Sequence, residues 1–396
     1  MIKLIFFRGL RLGCLWVCCG FSSSAEAVLR VPRSANEVLT KLPSSAVVRR
    51  VMEDRRSSST QSLTEAVAAA RNWIEQGRAD LDPRHLGRAE AVLARWWTLT
   101  NPPNEVRLLR ATIRQSLHDF SGALADLSTV TRDEPLNAQA WLTRCTLHTV
   151  RGEWIEARES ALRLAPLTGR LTAAAAAASV SGVNGQLEEA CELLQAAMRD
   201  DRGVSEPALR LWSLTLLGEM FERRGRAAEA ERYFKHALSM RMRDAYLLAA
   251  YGDFLIESDR CTEVVELLKE ETRADGLLLR LALAEQKLNP NSDLLSRHVE
   301  LLQERFASAK ARGDRIHQRE EAIFQLHLKG NSAEALLLAQ ENWRVQREPS
   351  DVKILLEAAI TAGHTTTVNQ VRQWLQESEL QDARVERLLR SYAALR

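Results

Sequence analysis

The chain has 396 residues, 45% of them hydrophobic, which is enough for two or three ordinary domains or one long repeat array. Only 6% are aromatic, and alanine and leucine dominate the apolar positions, a mix that favours helices over strands. A formal net charge of +2 excludes the broad positive field that general nucleic-acid or anionic-membrane binding needs.

Residues 1–27 read as a secretion signal. Lys3, Arg8 and Arg11 supply a basic start, Leu15 to Phe21 a short apolar run, and Ala25 and Ala27 the small residues of a cleavage site. Val17 is too large for the position before a lipidated Cys18, so lipoprotein processing is not expected. Removing the leader takes three of the 54 Lys and Arg and one of the 52 Asp and Glu, which leaves 51 of each. No later run reaches the ~18 apolar residues of a membrane helix. The chain has six cysteines, of which Cys14, Cys18 and Cys19 also belong to the leader. The other three, Cys145, Cys191 and Cys261, are odd in number and widely spaced. They fit buried helix positions better than a disulfide framework.

Residues 28–60 mix Pro, Ser and charge without sustained periodicity and read as a loosely ordered leader. Helices begin near Ser62, in "SLTEAVAAARNWIEQG", and a helical array is expected over 61–396. No stretch alternates with the period of a strand over any length.

The clearest pattern is "LGEMFERRGRAAEAERYFKHAL", residues 217–238. Leu214, Leu217, Gly218 and Phe221 form one stripe at helical spacing, and Ala230, Phe234 and Ala237 form another. Gly225 sits between them, where a left-handed helix end is easiest for glycine. The pattern predicts an antiparallel hairpin in which Gly218 and Ala230 let the two backbones approach. It returns 34 residues on, with Leu248, Gly252 and Leu268 in place of Leu214, Gly218 and Phe234. Upstream, Ala123 and Ala157 are also 34 apart, with Pro135, Trp141 and Gly152 around them.

A helical hairpin recurring every 34 residues, with small residues at these places, resembles the tetratricopeptide repeat family. Weaker copies carry Ala178, Gly185, Ala190, Leu194 and Ala197; Ile323, Ala335 and Ala339; and Ala358 and Leu375. A divergent first copy spans 63–98, and a longer helical pair spans 276–312. Seven to nine hairpins follow. The resemblance implies an all-α, right-handed solenoid whose concave wall, lined by the first helix of each hairpin, holds a peptide or protein segment. Segments such as "ADGLLLRLALAEQ" are also similar to exported bacterial repeat proteins of unknown function.

Carried over residue by residue, the family's inner-wall positions are Trp212, Thr215, Glu219 and Arg223, then Tyr246, Ala249, Asp253 and Ile256. Earlier copies supply Thr112, Gln115, Gln139, Thr146 and Thr149. The expected partner-binding set is Trp212, Thr215, Glu219, Tyr246 and Asp253. Trp212 and Tyr246 would be aromatic anchors flanked by two carboxylates, suiting a partner with apolar and basic side chains. The competing reading packs both aromatics between helices. The Lys/Asn clamp that grips C-terminal carboxylates is absent from these positions.

Other constellations are weaker. His317, Glu320 and Glu321 share a helical face but match no two-histidine zinc spacing, and acidic residues in a first helical turn explain them. Arg312-Gly313-Asp314 reads as a helix stop followed by Asp314 as an N-cap. Cys145 and His148, three apart, are too few for a metal site. Trp343, with Arg344, Arg347 and Glu348, offers a second contact patch, although folding of Trp343 onto the following hairpin is the preferred reading. No Gly-x-Ser-x-Gly, phosphate loop or dinucleotide fingerprint appears, so neither catalysis nor a cofactor is expected. The function expected is a non-enzymatic interaction scaffold, exported to the periplasm or beyond, with an unnamed protein partner. Two alternatives stand. One is a self-associating protein with an exposed apolar C-terminal end at 381–396. The other is an enzyme acting on envelope polymers, for which Glu219 and Asp253 are the available carboxylate pair.

Overall fold

The computed structural model describes residues 62–80, 84–313 and 317–394, so the signal and the 28–60 leader lie outside the described residues. Every regular element among the described residues is helical. α1 (Leu63–Asp80) and α2 (Arg84–Trp97) form the divergent first copy. Ser62 opens α1, its hydroxyl and backbone N–H both donating to Glu65. Trp73 of α1 stacks on His85 of α2 at 5.5 Å.

Eight hairpins follow. They are α3 (Asn104–Ser116) with α4 (Phe120–Asp133), α5 (Ala138–Arg151) with α6 (Trp154–Leu164), and α7 (Arg170–Ser181) with α8 (Leu187–Asp201). Next come α9 (Pro207–Arg223) with α10 (Ala227–Ser239), and α11 (Ala245–Glu257) with α12 (Cys261–Leu268). The last are α13 (Asp275–Leu288) with α14 (Asp293–Ala311), α15 (Gln318–His327) with α16 (Ser332–Trp343), and α17 (Pro349–Thr361) with α18 (Thr365–Ser378). A single helix, α19 (Ala383–Ala394), ends the array.

The sequence punctuation places these ends. Asn137, Asp244 and Ser292 accept N-terminal backbone N–H groups of α5, α11 and α14, as capping residues do. Gly225 takes φ +71°, and the Arg226 N–H reaches back to the Phe221 carbonyl at 2.9 Å. Asp314 lies outside the described residues; α15 begins later, at Gln318. The 217–238 hairpin closes as its side-chain sizes require. A Cβ added at Gly218 would sit 2.6 Å from the Phe234 ring, so only glycine leaves room. At Gly252 the nearest atoms, on Arg280 and Leu268, are 3.5 Å from such a Cβ, a looser copy of the same contact.

Single hairpins cannot bury their apolar faces, and stacking solves this by giving each first helix two packed sides. α5 contributes Ala140, Leu147 and Val150 to an N-terminal cluster, and Trp141, Leu142 and Cys145 to a central one. α15 likewise gives Phe324 to the central cluster but Ala322 and Leu326 to a C-terminal one. Ala123 and Ala157, the 34-residue pair, are both fully buried. Cys145, Cys191 and Cys261 are buried free thiols, and burial pushes the Cys145 thiol up to about 12.

Candidate functional site

The first helices of the hairpins from α5 to α17 converge on one cavity of about 220 Å³. Among the expected inner-wall residues, Thr146, Thr149, Trp212, Glu219, Arg223, Tyr246, Ala249 and Asp253 line it. Thr112, Gln115, Gln139, Thr215 and Ile256 do not. Thr215 is fully buried, and its hydroxyl donates to the Leu211 carbonyl within α9, so it faces the helix packing.

Trp212 combines both readings of its role. It is 4% exposed and part of the central apolar cluster, yet its remaining surface borders the cavity. Tyr246 is half-buried, and its hydroxyl donates to the Glu219 carboxylate. Burial raises the Glu219 carboxyl above its ordinary range, opposed by that hydroxyl, and burial raises the Tyr246 hydroxyl as well. Asp253 is bridged by the Arg280 guanidinium at 2.6 Å. Glu219 and Asp253 therefore have different partners, one a phenol and the other a cation.

Further charged groups reach the cavity. Arg280, Arg319, Arg347 and Arg384 line it with Glu222, Glu320 and Glu348. Arg319 bridges Glu348 at 3.0 Å and Asp351 at 3.3 Å. Burial works against the Glu320 carboxylate, but Arg319, then Arg280, hold it at about 2. The stretch around His317 thus brings the carboxylate of Glu320 and the guanidinium of Arg319 to the cavity. His317 itself packs near the Phe306 ring at 6.4 Å. Glu222 is pushed up to about 7 by burial, against the pull of Arg384. Its Oε1 has no hydrogen-bond partner among the described residues, although its side chain is only 9% exposed.

Elsewhere the residues have local structural partners. Cys145 points its thiol at the Ala176 carbonyl, and His148 pairs with Glu153 at 2.7 Å. Trp343 meets Trp374 of the next hairpin edge to face, with ring centroids 4.8 Å apart.

The family model described as "Tetratricopeptide repeat" matches residues 170–243, which covers the α7–α8 and α9–α10 hairpins. Residues 170–243 are tetratricopeptide repeats. The tetratricopeptide array also resembles solved structures at low identity. The chain from the APC/C hetero-tetramer Cut9-Hcn1 is 15% identical at a TM-score of 0.40, over 78% of this chain and 59% of that one. The present chain thus spans less than two thirds of that relative. PilW, a type IV pilus biogenesis factor, is 12% identical at 0.31, over 73% and 100%. Human IFIT1, solved as a dimer with PPP-AAAA, is 14% identical at 0.35, over 88% and 77%. No protein of curated function matches the sequence. No helix among the described residues of the tetratricopeptide array is long and apolar enough to cross a membrane.

Proposed function

We propose that this tetratricopeptide protein is an exported, non-enzymatic scaffold that docks a segment of another protein on the inner wall of its array. Arrays of this family serve protein–protein interaction. One observation carries the reading. First helices of seven successive hairpins converge on one cavity, and they bring Trp212, Glu219, Tyr246 and Asp253 to it from two neighbouring repeats. The wall offers apolar surface at Trp212, Leu216 and Ala249 beside the Glu219 and Glu222 carboxylates. That combination suits a segment carrying apolar and basic side chains. In this reading residues 1–27 direct export, 28–60 form a leader, and 61–396 form the array.

The test is affinity capture from envelope extract, comparing the mature protein with a Glu219→Gln/Tyr246→Phe double variant. These substitutions remove the charge and the hydroxyl but keep side-chain volume. Trp212→Ala is a poor probe, because truncating so buried a tryptophan costs about 3–5 kcal/mol of stability. A partner retained by the mature protein and lost by an equally helical variant supports inner-wall docking. A partner held equally by both moves the contact to another face.

A further inference from the structure

The inner wall is already in contact with the chain's own C-terminal hairpins. The Arg347 N–H, just before α17, donates to the Val150 carbonyl at 2.7 Å. Val150 lies in the last turn of α5, whose final carbonyls have no partner within the helix. Asn184, after α7, donates its side-chain amide to the Ser378 carbonyl at the end of α18, 194 positions away. Arg384 of α19 reaches Glu222 of α9 at 3.1 Å, and Lys353 of α17 reaches Glu257 of α11 at 2.8 Å. The Trp154 and Trp374 rings, on α6 and α18, lie 6.4 Å apart.

We propose that this contact is a reversible clasp that regulates access to the inner wall. The inference rests on the docking reading above. Three observations support it. First, the clasp is mostly polar, with Trp154 and Val183 as its apolar contributions. Second, the central and C-terminal apolar clusters share no buried residue, and partly buried Ile323 packs against both. Parting the clasp therefore leaves each core intact, and water can replace the polar partners. Repeat arrays divide such a movement among many hairpin interfaces, so no single hinge is required. Third, the closed contact is incompletely satisfied. Among the described residues Glu222 keeps a buried oxygen without a donor, a costly arrangement that a basic group of a docked segment would relieve.

Amide hydrogen exchange on the full chain tests the clasp without any partner. The Arg347 amide is the reporter, because its acceptor lies across the contact. Leu214 and Leu355 report the central and C-terminal cores. In the wild type the Arg347 amide should exchange at least ~100-fold faster than those two, since local opening is easier than global unfolding. Arg384→Ala should speed it a further ~10-fold and leave both core amides unchanged. Lys353→Ala, at a separate point of the clasp, should act in the same direction. An Arg347 amide that exchanges together with the core amides in the wild type overturns the proposal. So does one that neither variant accelerates. These outcomes are separate from partner capture. Fast Arg347 exchange with a partner held equally by the Glu219→Gln/Tyr246→Phe variant retires the docking reading alone. Slow exchange with the partner lost retires the clasp alone.

Discussion

Arg384 donates to Glu222 across 162 positions of sequence, and the guanidinium that does so is itself held by Asp382 at 2.7 Å and 3.0 Å. The pair joins the last helix of the array to one of its central helices. Asp382 also shapes the surroundings of Glu222, where Asp253 and Glu219 add further negative charge. Burial is the largest influence, and the carboxyl rises to about 7 despite its cationic neighbour.

The consequence is a pH dependence of definite sign. Unfolded, Glu222 titrates near its ordinary 4.5, whereas in the folded protein it titrates near 7. Between these values the native state holds a proton that the unfolded chain releases. Stability from this group is therefore complete below about 4.5 and is lost as pH rises through about 7. Urea denaturation at pH 5 and pH 8 should show Glu222→Gln more favourable, relative to wild type, at the higher pH. The change in that difference should be about 1–3 kcal/mol. An equal difference at both pH values would remove Glu222 as the titrating group.

The two equivalent glycines should respond differently to alanine. At Gly218 the new methyl meets the Phe234 ring, and the overpacking should cost about 1–3 kcal/mol. At Gly252 the nearest atoms are at ordinary contact distance. There the gain in helix propensity should leave stability unchanged or raise it by up to about 1 kcal/mol. Denaturant midpoints of the two single variants decide this, and equal effects would contradict the interlocking of Gly218 with Phe234.

A third prediction about stability concerns Asp126, which is 2% exposed and lies inside α4. It accepts from Arg110 at 2.8 Å and 2.5 Å and from Arg114 at 2.8 Å, with Arg107 3.6 Å away. Asp126→Asn removes the carboxylate that, among the described residues, these three guanidiniums share. Arg107 and Arg110 are themselves buried, so the loss should be about 3–5 kcal/mol. A thermal midpoint close to wild type would show that water or another carboxylate compensates.

The hairpins were legible because their determinants are local. Gly218, Ala230 and Phe234 state their contact within a few helical turns, and the 34-residue return of Ala123 at Ala157 states the stacking. The inner-wall positions came from the family resemblance instead, and Trp212, Glu219, Tyr246 and Asp253 among them line one cavity. Thr215 shows where that reasoning fails. Its spacing is right for the wall, but α9 is buried around most of its circumference, including at Ser213 and Leu216. The nearly unbroken apolar run from Leu214 to Leu217 carried that signal, because a helix apolar on all sides must be covered on more than one.

By itself, then, the sequence determined an all-helical array and the partners within its clearest hairpin, and the family resemblance pointed to an inner side of the first helices. Only the tertiary structure decided what meets that side. Arg347 on Val150, Asn184 on Ser378 and Arg384 on Glu222 join residues far apart in the chain. Such contacts depend on small rotations summed over many hairpin interfaces. No short stretch of residues encodes that sum, so the clasp could not be read from spacing.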